Sequence, residues 1–236
     1  METVGVIGGG QMGSQIAALA AMAGYETHVY DSDSENLKSK IKFTEDNLLN
    51  LIDKGRYEKS KLDNFKEHLH SSESIDETIN KKSFVIEAVV ERLDVKLEIF
   101  ENISKKLDEN VVLATNSSFI PASEIAKSCE HPSRFINMHF FYPPLRMDLV
   151  EISYPVETNK ETIERTQTLG KDMGRTVITC KKETPGFIVN RMLAALTDEA
   201  YQLYDEGIAD FKDIDIASKK GLNLSLIHIS EPTRRV

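Results

Sequence analysis

At 236 residues the chain can bury the core of one large domain or two modest ones. Charged residues make up 28% and hydrophobic residues 40%, and 38 acidic against 29 basic side chains give a net charge of −9, which argues against a nucleic-acid partner. No apolar run approaches the roughly 20 residues of a membrane span, and the N-terminus passes straight into a strand-like segment, so neither membrane insertion nor a signal peptide is expected. Cys129 and Cys180 supply no disulfide framework, and the expected setting is reduced and cytoplasmic.

Thr3-Val4-Gly5-Val6-Ile7 reads as a short buried strand, Gly8-Gly9-Gly10-Gln11-Met12-Gly13 follows, and a small-residue helix over 14–23 ends at Gly24. This is G-x-G-x-x-G with a strand before it and a helix after it, the context in which the motif holds a dinucleotide. Gly8 permits the tight turn and Gly10 lets backbone approach a pyrophosphate. Gly13 lets the helix pack closely on the strand, which aims the helix N-terminus at the phosphates. A second strand, Thr27-His28-Val29-Tyr30, ends at Asp31, eighteen residues after Gly13. A carboxylate there suits the two ribose hydroxyls of NAD and repels the phosphate of NADP. The bland alternative, a glycine-rich turn with a solvated Asp, gives no reason for the complete strand–turn–helix–strand–acid order. His28 is assigned to strand packing.

From 34 to 67 the pattern is helical, with Leu37, Ile41, Leu48, Leu51 and Ile52 on one face and a break at Lys54-Gly55-Arg56. This predicts a two-helix hairpin that projects from the sheet. Lys54, Arg56, Lys59 and Lys61 cluster near its turn. The ordinary reading of such a cluster is a solvated charged turn; the functional reading is contact with a phosphorylated ligand.

Residues 82–89 form a buried strand, which Val90-Glu91 carries out of the sheet, and an amphipathic helix over 94–107 runs through Val95, Ile99 and Ile103. Val111-Val112-Leu113-Ala114 is another strand, ending at Thr115-Asn116-Ser117-Ser118. Ligands of an open α/β sheet sit outside the carboxyl ends of its strands, where Glu91, Lys96, Asn116 and Ser118 fall. Ser and Asn are also ordinary turn residues there. A strand over 134–138 delivers His139 to the same edge, and Leu149 to Ser153 reads as a short strand running near it. His139 and Glu151 are the parts of an oriented general base: the imidazole takes the proton, and the carboxylate fixes its tautomer and stabilises the charged form. An apolar-flanked histidine standing alone is more often a core residue. A helix over 160–173 and a strand over 176–179 finish the sheet. Pro185 fits the first turn of a helix that runs to Glu206, with Ile188, Met192, Leu196 and Tyr204 on its apolar side and Asn190 one turn inside its start. Residues 213–220 read as the start of another helix.

These residues resemble the 3-hydroxyacyl-CoA dehydrogenases, including the bacterial 3-hydroxybutyryl-CoA enzymes. The resemblance rests on the Gly8 fingerprint with Gln11-Met12-Gly13, Ile86-Glu87-Ala88-Val89-Val90-Glu91 with Lys96, and Asn116-Ser117-Ser118. It continues through His139-Phe140-Phe141, Leu149-Val150-Glu151 and Thr184-Pro185-Gly186-Phe187-Ile188-Val189-Asn190-Arg191, in the family's order over residues 3–223. It implies a Rossmann-type doubly wound α/β sheet over 1–183, with the first part of an all-α C-terminal domain over 184–223. It implies NAD-dependent oxidation of a 3-hydroxyacyl-CoA, or the reverse reduction, and a homodimer for the complete protein. His139 is then the base, Glu151 its orienting carboxylate, and Ser118 and Asn190 the hydrogen-bonding partners of the reacting end of the substrate. Gly8, Gly10, Gln11, Met12, Gly13, Asp31 and Asn116 belong to the cofactor site, with Glu91 and Lys96 on the nicotinamide-side ribose. The family's hairpin lies over the CoA, which favours the functional reading of Lys54, Arg56 and Lys59. Tyr142-Pro143-Pro144 departs from the family's Asn-Pro after His-Phe-Phe, a departure that bears on acyl-chain preference.

The motifs that carry the family resemblance are not expected to continue beyond Asn223. Leu224 to Arg234 reads like the translation of a transposase mosaic-end sequencing adapter, so 224–236 is set aside from fold reasoning and His228 is not a candidate ligand. No metal site is expected. Two other functions compete: a carnitine- or gulonate-type dehydrogenase on the same fold, against which Phe140 stands where those relatives carry Pro, and a non-catalytic NAD-binding protein, against which the intact Ser118, His139, Glu151 and Asn190 stand.

Overall fold

The computed structural model describes residues 2–224, which fall into two compact units dividing between Phe187 and Ile188. The adapter-like stretch beyond Leu224 lies outside the described residues.

The first unit opens with β1 (Thr3–Ile7) and α1 (Gly13–Met22). Every residue of α1 is buried, as its run of small and apolar side chains allows, so the helix is enclosed by its neighbours. β2 (Glu26–Tyr30) leads to the expected hairpin of α2 (Ser34–Asp53) and α3 (Ser60–His68). Asp33 caps α2 by accepting the Asn36 N–H at 2.9 Å. Leu37, Leu48 and Leu51 of α2 and Phe65 of α3 share one core with α1 and the sheet.

β3 (Leu69–Ser71) and α4 (Ile75–Ile79) carry no periodic signal in the sequence. β3 is the edge of the sheet, bonded to β2 alone, and an edge strand needs no apolar alternation. α4 is set by Ser74, whose hydroxyl accepts the Glu77 N–H at 3.2 Å. The chain continues through β4 (Phe84–Glu87), α5 (Leu93–Ser104), β5 (Val112–Thr115), α6 (Ala122–Ala126) and β6 (Phe135–Phe140). It ends the unit with β7 (Leu149–Ser153), α7 (Lys160–Asp172) and β8 (Thr176–Thr179).

The sheet has eight strands in the order β3-β2-β1-β4-β5-β6-β7-β8, parallel except where β7 returns antiparallel to β6. Helices α1, α2, α3 and α7 cover one face and α4, α5 and α6 the other, the doubly wound Rossmann-type arrangement. Alternation along β6 sorts its side chains. Ile136, Met138 and Phe140 enter the α1 core and Phe135 the α5 core, so Asn137 and His139 share the α5 face.

The helix expected from Pro185 begins instead at Val189. Thr184-Pro185-Gly186-Phe187 is a turn: Gly186 has φ +74° and the Phe187 N–H donates to the Thr184 carbonyl at 3.1 Å. Pro followed by a positive-φ Gly is the signature of a type II turn, and it overrides the preference of Pro for a first helical position. In the second unit α8 (Val189–Asp205) and α9 (Phe211–Gly221) pack through Leu196, Ala200, Leu203, Ala209 and Ile214.

Close packing of α1 on the glycine turn gives a stability prediction. A Cβ placed on Gly13 would lie 1.7 Å from the Gly8 carbonyl oxygen. Gly13→Ala should therefore destabilise the protein by at least the 1–3 kcal/mol typical of roughly one overpacked methyl, read as a lower thermal midpoint by circular dichroism. A midpoint equal to wild type would contradict this packing.

Candidate active site

Side chains from β7 and from the turn after β5 meet at His139. It is the fifth residue of β6, 3% exposed, and the antiparallel register places it opposite Glu151 of β7, which is fully buried. His139 Nδ1 lies 3.2 Å from Glu151 Oε2 and Nε2 lies 3.2 Å from Ser118 Oγ. A carboxylate can only accept, so Nδ1 carries the proton and donates to Glu151, and Nε2 accepts from the Ser118 hydroxyl. The imidazole is flanked by the rings of Phe141 and Phe187, with centroids at 4.6 and 5.2 Å.

Ser118 stands in a tight turn at the end of β5, and Glu91 holds that turn. Its Oε1 accepts from the Ser117 hydroxyl (2.6 Å) and from the N–H groups of Ser118 (2.9 Å) and Phe119 (3.0 Å). From the other side Asn137 Nδ2 donates to the Ser117 carbonyl at 2.9 Å. Asn116 ties the same edge to β6 by accepting the Phe140 N–H at 2.9 Å. Partial burial pushes the Glu91 carboxyl up, but the Ser117 hydroxyl, the Phe119 N–H and the Lys96 ammonium outweigh it and hold it below the ordinary range. The Lys96 ammonium is buried between Glu87 Oε1 (2.7 Å) and Glu91 Oε2 (3.3 Å).

At the same edge of the sheet the first glycine turn opens. Gly8 adopts φ +97° and a Cβ there would strike the Ala88–Val89 backbone, whereas a Cβ on Gly10 would meet nothing within 4 Å. Asp31 flanks the turn: a Cβ on Gly9 would come within 3.4 Å of its Cβ.

Comparison with known proteins bears on what this arrangement serves. Residues 3–184 match the family model described as 3-hydroxyacyl-CoA dehydrogenase, NAD binding domain, and residues 186–230 match the C-terminal domain of the same family. The chain belongs to the 3-hydroxyacyl-CoA dehydrogenase family. It is 36% identical over 226 residues to the mitochondrial hydroxyacyl-coenzyme A dehydrogenase of Sus scrofa, covering 94% of this chain and 72% of that protein. It is 33% identical over 218 residues to a 3-hydroxybutyryl-CoA dehydrogenase of Clostridioides difficile, covering 92% and 77%. The solved (S)-3-hydroxybutyryl-CoA dehydrogenase of Ralstonia eutropha superposes with a TM-score of 0.88 at 32% identity, covering 95% of this chain and 78% of that one.

NAD is the cofactor of this family's N-terminal domain, and the residues present fit it. The open face of Gly10 admits a pyrophosphate. Helix α1 has no side-chain cap, which leaves its first N–H groups for an anion, and no acidic residue stands in its first turn. Gln11 is exposed beside them and Met12 is half-buried. Asp31 keeps its carboxylate at the turn, Oδ1 accepting the Asp33 N–H at 3.0 Å.

Of the residues singled out in the sequence of this 3-hydroxyacyl-CoA dehydrogenase family member, the structure brings Ser118, His139 and Glu151 into contact, with Glu91, Lys96 and Asn116 around them. Asn190 is the second residue of α8, in the other unit. Lys54 and Lys59 are exposed at the hairpin turn. Arg56 is engaged there: its Nη2 donates to Asp148 Oδ1 (2.8 Å) and to the Arg146 carbonyl. His28 is half-buried, with Nδ1 3.3 Å from the Ser72 hydroxyl, which agrees with strand packing. Both cysteines are buried and free, the Cys129 thiol pushed up to about 12 by burial. Among the described residues no group of three or more His, Cys, Asp or Glu is placed to hold a metal, and no helix is long and apolar enough to cross a membrane. Sequence reasoning missed Phe187, Asn137 and Glu87. Asn137 could have been found, because it lies two residues before His139 and so on the same face.

The depressed Glu91 carboxyl has a signed consequence. Its folded pKa lies below the unfolded one, so its contribution to stability is present above the ordinary carboxylate range and is lost as pH falls through the folded value. Wild type should melt above Glu91→Gln near neutral pH, and the gap should close as pH falls below about 4. Thermal melts over a pH series check this; a gap independent of pH would contradict it.

Proposed function

We propose that the full-length protein oxidises (S)-3-hydroxyacyl-CoA to 3-oxoacyl-CoA with NAD, or runs the reverse reduction of acetoacetyl-CoA, using His139 as general base. The observation that carries this reading is the contact chain Ser118–His139–Glu151, with His139 and Glu151 buried, at the sheet edge onto which the glycine turn opens. The relatives named above as hydroxyacyl- and 3-hydroxybutyryl-CoA dehydrogenases support the substrate class.

Bound NAD supplies the hydride acceptor. His139 Nε2 takes the proton of the 3-hydroxyl as the C3–H bond breaks, so that C3 and its oxygen are left as a carbonyl. Glu151 keeps Nδ1 protonated, which presents the lone pair of Nε2 to the substrate, and it stabilises the imidazolium that forms. The Ser118 hydroxyl, aimed at Nε2, is within reach of the same substrate oxygen and hydrogen-bonds it; we assign Asn190 the same task on the family resemblance. Phe141 and Phe187 keep water from the imidazole faces. Glu91 and Lys96 are assigned to the nicotinamide-side ribose, Asn116 to the cofactor edge, and the exposed Lys54 and Lys59 to the CoA phosphates. Arg56, which also holds the hairpin turn to Asp148, is assigned with them to the CoA. We expect the full-length protein to form a homodimer in the cytoplasm.

Turnover is read from NADH oxidation with acetoacetyl-CoA. His139→Gln should lower it by about 10² to 10⁴, the usual cost of losing a general base, with NAD binding retained; Glu151→Gln should lower it as well and move the pH profile. Wild-type turnover in the His139 variant would overturn the assignment.

Cofactor choice follows from Asp31. Its carboxylate accepts from ribose hydroxyls and repels a phosphate in the same place, so fluorescence titration should show tighter binding of NAD than of NADP. Equal affinities would show that Asp31 does not select.

A further inference from the structure

A row of buried polar side chains crosses the sheet beneath the site. Glu87 of β4 stands in register with Thr115 of β5, Thr115 with Asn137 of β6, and Asn137 with Ser153 of β7, and all four are fully buried. Glu87 is the only ionisable member of the row. Both of its carboxylate oxygens are taken: Oε1 accepts from the Lys96 ammonium (2.7 Å) and the Val89 N–H (2.7 Å), and Oε2 accepts from the Thr115 hydroxyl (2.7 Å).

A buried ion pair kept for stability alone is a weak device, because well-packed apolar residues commonly do as well. Here the ammonium has a further partner. Lys96 reaches from Glu87 to Glu91 Oε2 at 3.3 Å, and the other oxygen of Glu91 closes the turn that carries Ser118. The chain of contacts therefore runs Glu87, Lys96, Glu91, the 117–120 turn, Ser118, His139. Each link is an ion pair or a hydrogen bond, and the first member sits on a strand in the middle of the sheet.

We propose that Glu87 is a positioning residue of the reaction site: it fixes Lys96, Lys96 fixes the Glu91 carboxylate, and that carboxylate fixes the Ser118 hydroxyl against the base. Glu87 touches no reacting atom. The proposal rests on the reading of Ser118 and His139 as the reacting pair. Glu87→Gln keeps the shape of the side chain and removes its charge. Lys96 is then left to Glu91, which it draws off the turn, and Ser118 loses its fixed place.

A double-mutant cycle on the full-length protein tests the chain of contacts. Glu87→Gln should lower kcat on the order of tenfold to a hundredfold, as misplacement of a catalytic group does. Added to Ser118→Ala, it should cause little further loss, since both changes remove the same interaction. A merely structural role for Glu87 predicts instead that the two losses multiply, and that result would overturn the proposal, as would wild-type kcat in Glu87→Gln. Wild-type kcat in Ser118→Ala would remove the serine's role and this inference with it. An impaired Ser118→Ala with multiplying losses removes this inference alone. If Glu87→Gln does not fold, Glu87→Asp, which keeps the charge and withdraws it by one methylene, enters the same cycle with the same expected non-additivity.

Discussion

The site depends on one reversal of chain direction. Strands β1 to β6 run parallel, and a parallel neighbour for β6 would need a crossover of a dozen or more residues, as a rule through a helix. The chain instead returns through 141–148 and lays β7 antiparallel on β6. That short return fixes the register at His139 opposite Glu151, so both side chains are carried by hydrogen-bonded strands. Burial then ties the two together. A carboxylate with no exposure needs partners, and the His139 imidazole is one of them, so the contact that orients the ring also makes the buried charge tolerable.

The same logic explains how the sheet tolerates a polar layer under its α5 face. Period-2 alternation sends Val85, Leu113 and Phe135 into the core shared with Phe100 and Ile103, and sends Glu87, Thr115 and Asn137, two residues nearer the carboxyl edge, toward the same side. Apolar packing thus fills the lower part of this face and polar side chains fill its rim. The rim is where ligands of such sheets bind. Asn137 grips the Ser118 turn from β6, and Glu91 grips it from the connection between β4 and α5, where its other oxygen meets Lys96 of α5. A turn made of Asn, Ser and Ser has little intrinsic preference for one shape, and its shape here is imposed by these neighbours.

Much of this was legible in the sequence, for identifiable reasons. Gly8, Gly10 and Gly13 carry their meaning in one short stretch because each answers to a local steric demand, and the structure shows two of those demands as direct clashes, at Gly8 and Gly13. The long apolar strands and the amphipathic helices α2, α5 and α7 announce themselves by periodicity. The closeness of Ser118, His139 and Glu151 is different. Three residues in three elements meet through register, and register is not written in any local pattern; the family resemblance supplied it. Glu87 and Asn137 escaped because each falls inside a segment read only as a buried strand, and no local pattern marks which strand residues face the polar rim.

The misplaced start of α8 shows how two sound local signals can compete. Pro at a first helical position and Pro-Gly at the centre of a turn are both favoured, and nothing in Thr184-Pro185-Gly186 chooses between them. The choice is made one residue later. Phe187 sits at φ +48° with its ring 2% exposed and 5.2 Å from the His139 imidazole. A helix begun at Pro185 would hold Phe187 at a negative φ and swing that ring elsewhere. A left-handed conformation is costly for a bulky residue, so the burial of a phenyl ring against the His139 imidazole outweighs the strain. Phe187 thus closes the sheet unit with its ring beside the His139 imidazole, and regular helix begins only at Val189.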